Sequence, residues 1–552
     1  MTKITRRSAL ISSLALVGTG TASCAKPIDY DVEYAHGVAS GDPQMDKIIL
    51  WTRITTVHTG RVDGNWQMSE TSDFSKLARK GKFTTDAARD YTVKVDANKL
   101  KPGRIYFYRF IIGDMVSPIG KTKTLPSGSV EDARFAVVSC SNYPFGFFNV
   151  YDDIAKQAHF DAVIHLGDYF YEYGRDGYGG KVGAKLGREH EPAHEIISLA
   201  DYRTRHAQYK GDPQTQAVHA AHPFICVWDD HETANDSWKS GAQNHNEGEG
   251  SWDARRAAAM QAYYEWMPVR NPAQGTAREA LFRTYSFGNL LTITSIETRL
   301  TARSQQLDYT NHLEAFKTPE GIGNFLKNIL GDPARELLGP VQMDYIKTAL
   351  KTSKDKGQPW RLIANQVIMA RQHSPDITDY AERDFIKEIE KVFPKIHEYI
   401  AFSPLGLPSN LDAWDGYPAA RERFYDMARA QGASDLLVLT GDTHVSWANK
   451  LVDSNEKAMG VELGVTGTTS PGYNAYFKDA TEDYSSRIRA KNPDIIWTQS
   501  AENGYIDLQL NHAQGRADFV SVNTVYAPEY KTFVSKSFKI EKSDDSLTLK
   551  DI

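Results

Sequence analysis

From about Tyr34 to Thr124, apolar residues recur in short runs broken by turn residues: Ile48-Ile49-Leu50-Trp51-Thr52-Arg53, then Tyr91 to Val95, then Ile105 to Ile111. Runs of this length between turn signals read as strands. Residues 34–124 are therefore expected to form a small all-β domain, a packing or gating module without the residues of an active site.

After Pro126-Ser127-Gly128-Ser129 the pattern changes. Buried β-runs (Arg134 to Ser139, Ala162 to Leu166, Phe224 to Trp228, Trp360 to Ala364, Leu436 to Thr440) now alternate with amphipathic stretches such as Asp253 to Trp266, Val341 to Thr352 and Ala419 to Ala430. That alternation predicts a large α/β domain, in which ligands gather where strands end at their carboxyl edge. Tyr173 to Glu195 and Asn244 to Gly250, rich in Gly, His and charge, read as surface loops. Ile506 to Leu510 and Phe519 to Val522 are further strand-like runs. The expected divisions are a leader at 1–25, a β-domain at 34–124, a catalytic domain at 130–535 and a C-terminal extension at 536–552.

At 552 residues, with 41% apolar and 11% aromatic side chains, the chain can bury more than one core, which excludes intrinsic disorder. Sixty-four basic residues against 70 acidic ones leave a net charge of −6, so no nucleic-acid-binding surface is expected. Cys24, Cys140 and Cys226 are too few for a disulfide framework.

The N-terminus has the layout of a twin-arginine export signal: Arg6-Arg7 precede an apolar run from Ala9 to Val17, followed by small residues to Ala25. The run is too short to span a bilayer. The expected location is periplasmic or extracellular, after passage through the twin-arginine (Tat) machinery. Two fates of Cys24 compete: lipidation at Thr21-Ala22-Ser23-Cys24, or loss with a leader cleaved after Ala25.

Five β-runs end in a residue able to hold a metal: Cys140, Asp168, Asp230, Asn365, and Asp442 with His444. A single Asp after a strand is usually a cap or turn residue. Five such endings along one sheet would meet at one edge, where several acids repel one another unless a cation stands among them. In Gly167-Asp168 and Gly441-Asp442-Thr443-His444, glycine allows close backbone approach while the next residue turns its carboxylate inward. This suits a two-metal site acting on phosphate esters.

Longer motifs carry a resemblance: Gly37-Val38-Ala39-Ser40-Gly41-Asp42-Pro43 with Leu50-Trp51-Thr52-Arg53, VVSC ending at Cys140, HLGDYFYEYG from His165, VWDDHE from Val227, ANQV from Ala364, AWDGYPAARER from Ala413 and LTGDTHVSW from Leu439. In this order, over nearly the whole mature chain, they resemble the PhoD-type alkaline phosphatases. The resemblance implies an N-terminal fibronectin- or Ig-like sandwich followed by a metallophosphoesterase-like α/β/β/α sandwich. It implies Fe³⁺ held by Cys140, Asp168, Tyr171 and His444, and Ca²⁺ held by Asp168, Asp230, Asn365 and Asp442, with a second Ca²⁺ recruited by substrate phosphate. The chemistry agrees: a phenol becomes a phenolate ligand only beside a strong Lewis acid, and Asp and Asn oxygens suit a hard cation.

Alternatives stand beside these assignments. Cys140 could pair with Cys226, Tyr171 could be one more packed tyrosine beside Tyr169 and Tyr173, and Asn365 could cap a turn. His165 reads as a core histidine. His231 could contact phosphate, or protonate the leaving oxygen, or orient the ligands. Arg299 and Arg303 could clamp phosphate oxygens, although Glu297 stands where the family usually has an aspartate. The expected activity is hydrolysis of phosphate monoesters and diesters. The rivals are a phospholipase D-like or polymer phosphodiesterase on the same fold, acting on phospholipid or polymeric diesters, and a non-catalytic surface binding protein.

Overall fold

The computed structural model describes residues 31–391, 395–543 and 546–552. The expected export signal and Cys24 lie outside the described residues. No described helix is long and apolar enough to cross a membrane.

Two sheets lie face to face in the catalytic part. In the first, Asp132–Val138, Ala162–His165, Pro223–Cys226 and Val38–Gly41 run parallel in that order. In the second, Leu291–Ser295, Trp360–Ala364, Leu436–Thr440 and Ala458–Gly464 do the same. Strand alternation sets the layers. Phe135, Val137 and Ile164 point between the sheets and pack with Ile293, Leu362, Leu437 and Leu439. Ala136, Val138 and Val163 point outward, under residues of helices Asn149–Lys156, Leu199–Gly211 and Trp252–Trp266. Ile363 and Val438 face helices Gly339–Asp355 and Pro418–Ala430 on the opposite side. Helices therefore cover both outer faces, giving the α/β/β/α order.

The five ligand-bearing strand ends come from both sheets, three from the first and two from the second, and not from one sheet as the sequence pattern suggested. Facing sheets with parallel central strands bring two carboxyl edges to one place, so convergence survives the correction.

The N-terminal β-domain is a sandwich, but it shares a sheet with its neighbour. Val62–Ser69, Leu77–Thr85, Ile105–Ile112, Met115–Val116 and Gly120–Lys123 form one layer. The other layer, Val38–Gly41, Ile48–Arg53 and Thr92–Ala97, is the flank of the catalytic sheet, joined where Val38–Gly41 pairs with Pro223–Cys226. The opposite flank comprises Asn503–Asn511, Gln514–Val522, Thr532–Lys542 and Leu547–Asp551. Residues 536–552, expected as an extension, thus supply sheet strands, and a boundary at 535 would cut through one. The segment from 305 to 330 holds short helices at Tyr309–Lys317, Pro319–Asn324 and Phe325–Leu330.

Candidate metal centre

Four of the residues that end the strands carry positive φ without being glycine: Cys140 at 57°, Asp168 at 54°, Asp442 at 63° and His444 at 57°. Such backbone costs energy and persists only where the surroundings hold it, commonly at functional sites. Here hydrogen bonds hold it. Cys140 N–H donates to Gly167 O (3.1 Å), Ser141 N–H to Asp168 O (2.9 Å), and Asp168 and Asp229 N–H to Glu232 Oε2 (3.0 and 2.8 Å). Glycine is required at two points of contact between loops. A Cβ on Gly167, whose φ is +111°, would lie 2.5 Å from Asp229 Cβ, and one on Gly441 would lie 2.6 Å from Ser139 Oγ.

The four expected iron ligands meet. Cys140 Sγ is 3.4 Å and Tyr171 Oη 3.2 Å from Asp168 Oδ2, and Tyr171 Oη is 3.0 Å from His444 Nε2. His444 Nδ1 sits 3.1 Å from Pro471 O, so the proton on that nitrogen leaves Nε2 bare toward the centre. Ser470 Oγ donates to Tyr171 Oη at 2.7 Å. Asp230 and Asp442 also converge, with oxygens of Asp229, Asp230 and Asp442 within 4.8 Å of one another. Asn365 stands at the end of its strand one place from Leu436–Thr440, but its carboxamide bonds elsewhere: Nδ2 to Val367 O (2.6 Å), Oδ1 to Trp414 Nε1 (3.5 Å).

These groups are electrostatically uncomfortable without a cation. Burial first, then the carboxylates of Asp230, Asp229 and Glu232, push the Asp168 carboxyl well up against the pull of His231. Burial lifts Asp442 to about 7 despite Arg299. The Cys140 thiol and Tyr171 phenol are pushed far above their ordinary ranges, by burial and then by Asp168. Burial, followed by His231, lowers His444 to about 4 and so keeps it neutral. For His231, burial is outweighed by Asp230, Glu172 and Asp168, which raise it well above 6.5. Asp168 Oδ1 and Asp229 Oδ2 are buried with no hydrogen-bond partner. Thiol, phenol, imidazole and carboxylates arranged around partnerless oxygens form a donor set for metal ions.

The alternatives resolve. Cys140 and Cys226 are both free. Tyr169 turns away to His219 Nε2 (2.9 Å), and His165 is a satisfied core residue, with Tyr151 Oη 2.9 Å from Nε2. Arg299 is fully buried and bonds to Asp229, to Asp412 (2.7 Å) and to Asp442 (2.8 Å). It organises acids and does not present the free fork expected of a phosphate clamp. Arg303 is held by Asp412 and lies over the Tyr417 ring. The departure at Glu297 is accommodated: its carboxylate accepts from the backbone of Arg299, Leu300 and Thr301 and from Trp228 Nε1, fixing the turn that carries Arg299.

Comparison with known proteins bears on the same residues. Residues 135–519 match the family described as PhoD-like phosphatase, and residues 21–126 match its N-terminal domain. The chain belongs to the PhoD-like phosphatase family. It is 33% identical over 525 residues to alkaline phosphatase D of Bacillus subtilis (strain 168), covering 93% of this chain and 81% of that protein. A solved structure titled "Structure of PhoD" superposes with a TM-score of 0.75 at 30% identity, covering 94% of this chain and 92% of that one. This PhoD-like protein is a phosphoric ester hydrolase of the alkaline phosphatase type.

Sequence reasoning passed over several residues that build the centre. Glu172 and Glu232 sit inside recognised motifs, yet His231, Asn235 and Asn244 for the first, and Asp168 and Tyr169 for the second, lie on other loops. Asp229 and Asp412 surround Arg299, and Ser470 belongs to Gly467-Thr468-Thr469-Ser470-Pro471, whose run of small polar residues after strand Ala458–Gly464 is the signal that could have disclosed it.

Proposed function

We propose that this protein is an exported alkaline phosphatase that hydrolyses phosphate monoesters and diesters at a centre of Fe³⁺ and Ca²⁺. The observation that carries the reading is the meeting of Cys140, Tyr171 and His444 around Asp168, whose other oxygen is buried and unpartnered. Sulfur, phenol and imidazole suit Fe³⁺; Asp168, Asp230 and Asp442 offer oxygens to Ca²⁺, and Asn365 Oδ1 would join them on leaving its 3.5 Å contact with Trp414 Nε1. When bound, the ions activate water and neutralise phosphate oxygens. The chain's own residues do the rest. Glu232 and Glu297 hold the loops, Arg299 spaces Asp229, Asp412 and Asp442, and His231 gives a proton to the departing alcohol oxygen.

Export through the twin-arginine machinery, with Cys24 either lipidated or removed, rests on the Arg6-Arg7 pattern. Metal analysis and a visible spectrum of protein exported by its own signal test the reading. Iron, calcium and a phenolate-to-iron colour lost in Tyr171→Phe are expected; a colourless, iron-free and fully active enzyme would overturn it. Rates on a nitrophenyl monoester, its bis-ester and phosphatidylcholine decide among monoesterase, diesterase and phospholipase D-like action.

A further inference from the structure

We propose that Glu172 is the positioning residue of His231: its carboxylate fixes the imidazole so that Nε2 is left for the ester oxygen, while its second oxygen locks the loop beside that ring. The proposal rests on the reading of His231 as the proton donor.

Glu172 follows the ligand Tyr171 and is wholly buried. Its Oε2 lies 2.7 Å from His231 Nδ1, and its Oε1 accepts from Asn235 N–H (2.7 Å) and Asn244 Nδ2 (2.8 Å). The His231 ring lies against Tyr171, with centroids 4.1 Å apart, and one of its nitrogens is within 4.8 Å of oxygens of Asp168 and Asp230. With Nδ1 committed to Glu172, Nε2 is the nitrogen left free, and the side chain keeps 10% of its surface open to solvent while Glu172 keeps none. A dry carboxylate is costly unless it is paired and hydrogen-bonded. Here both oxygens are engaged, Oε2 by the imidazole and Oε1 twice by one loop.

A carboxylate behind an imidazole holds its orientation and steadies its charged form. In the reaction the P–O bond to the alcohol breaks and the alcohol oxygen takes the Nε2 proton. The neutral ring keeps its Nδ1 proton on Glu172, and the proton released by the attacking water restores Nε2.

The test compares Glu172→Gln and His231→Asn on 4-nitrophenyl phosphate, whose leaving group departs without a proton, and on glycerol phosphate, whose alkoxide does not. Metal content and melting temperature are read on the same holoenzyme samples. For His231→Asn the expected loss in kcat is about 10²–10⁴-fold on glycerol phosphate and far smaller on the nitrophenyl ester. For Glu172→Gln it is about 10–100-fold on glycerol phosphate, with KM and bound metal unchanged, and under about fivefold on the nitrophenyl ester. Should Glu172→Gln not fold, Asn244→Ala loosens the same carboxylate from a partly exposed position and is expected to show a smaller loss confined to glycerol phosphate. Equal loss on both substrates, or loss of metal, in the Glu172 or Asn244 variant overturns the proposal, while a selective His231→Asn leaves the reading of His231 standing. If His231→Asn slows both esters alike, that reading fails with it.

Discussion

Replacing Glu232 with Gln removes the tie between two ligand loops without touching a ligand. The side chain is 2% exposed, and it accepts backbone N–H groups from Asp168 (3.0 Å) and Asp229 (2.8 Å) on one oxygen and from Tyr169 (2.7 Å) on the other. The best amide orientation keeps its oxygen on the first pair and turns its NH₂ onto Tyr169 N–H. Two buried donors, Tyr169 N–H and the amide NH₂ itself, are then left without acceptors, at about 1–3 kcal/mol each, and two charge-assisted bonds become neutral ones, at about 1 kcal/mol each. The sum, about 4–8 kcal/mol, falls on the backbone that aims Asp168 and Asp230. Part of it emerges as a metal affinity about 10–100-fold weaker, and the rest as lower stability. Calorimetric titration of the metal-free protein with Ca²⁺, with melting curves on the same samples, measures both. Wild-type affinity together with a wild-type melting temperature would refute the idea that Glu232 holds these loops.

Gly441→Ala drives a Cβ to 2.6 Å from Ser139 Oγ; a loss of about 1–3 kcal/mol in stability is expected, with lower kcat/KM, and Ser139→Gly in the same chain should recover part of both. Lys210 is buried, 2.9 Å from His219 Nε2 and over the rings of Trp51 and Tyr169, and burial lowers it to about 7. The unfolded chain therefore binds the extra proton between pH 7 and the ordinary lysine value, so stability should rise with pH across that window. Lys210→Met should flatten the rise, which is about 2–3 kcal/mol between pH 7.5 and 9.5, as read from guanidinium midpoints. Chelation should lower the melting temperature and abolish turnover, and added Ca²⁺ should restore stability by about 1.4 kcal/mol per tenfold excess over Kd; a melting temperature indifferent to Ca²⁺ would count against a structural calcium site.

Local patterns carried most of what could be read in advance. The runs Trp360 to Ala364 and Leu436 to Thr440 are the observed strands to the residue, because a buried parallel strand is a continuous apolar run bounded by a chemical change. Gly167-Asp168 and Gly441-Asp442 announce themselves because close approach admits no side chain at the glycine. What could not be read depends on which remote segments meet. The division of strand ends between two sheets is of this kind, as is the pairing of Val38–Gly41 with Pro223–Cys226, about 180 residues apart. Arg299 looked like a phosphate fork because its motif does not show Asp229 and Asp412 around it. Glu172 and Glu232 were invisible as supports because the partners that matter, His231 for the first and Asp168 and Tyr169 for the second, lie on loops joined only in the folded chain.

The sheet that carries Cys140 is closed on one side by a distant stretch of chain. Asp132–Val138 lies between Ala162–His165 and Asn503–Asn511, and the strands beyond it run to Asp551. A nascent polypeptide emerging from the ribosome can form the early parallel strands, but one edge of Asp132–Val138 stays bare until Asn503–Asn511 has been made. Pairing over such separations is slow and leaves edges open to aggregation meanwhile. A chain cut before Asn503 would expose that strand edge on the very sheet that bears the thiol.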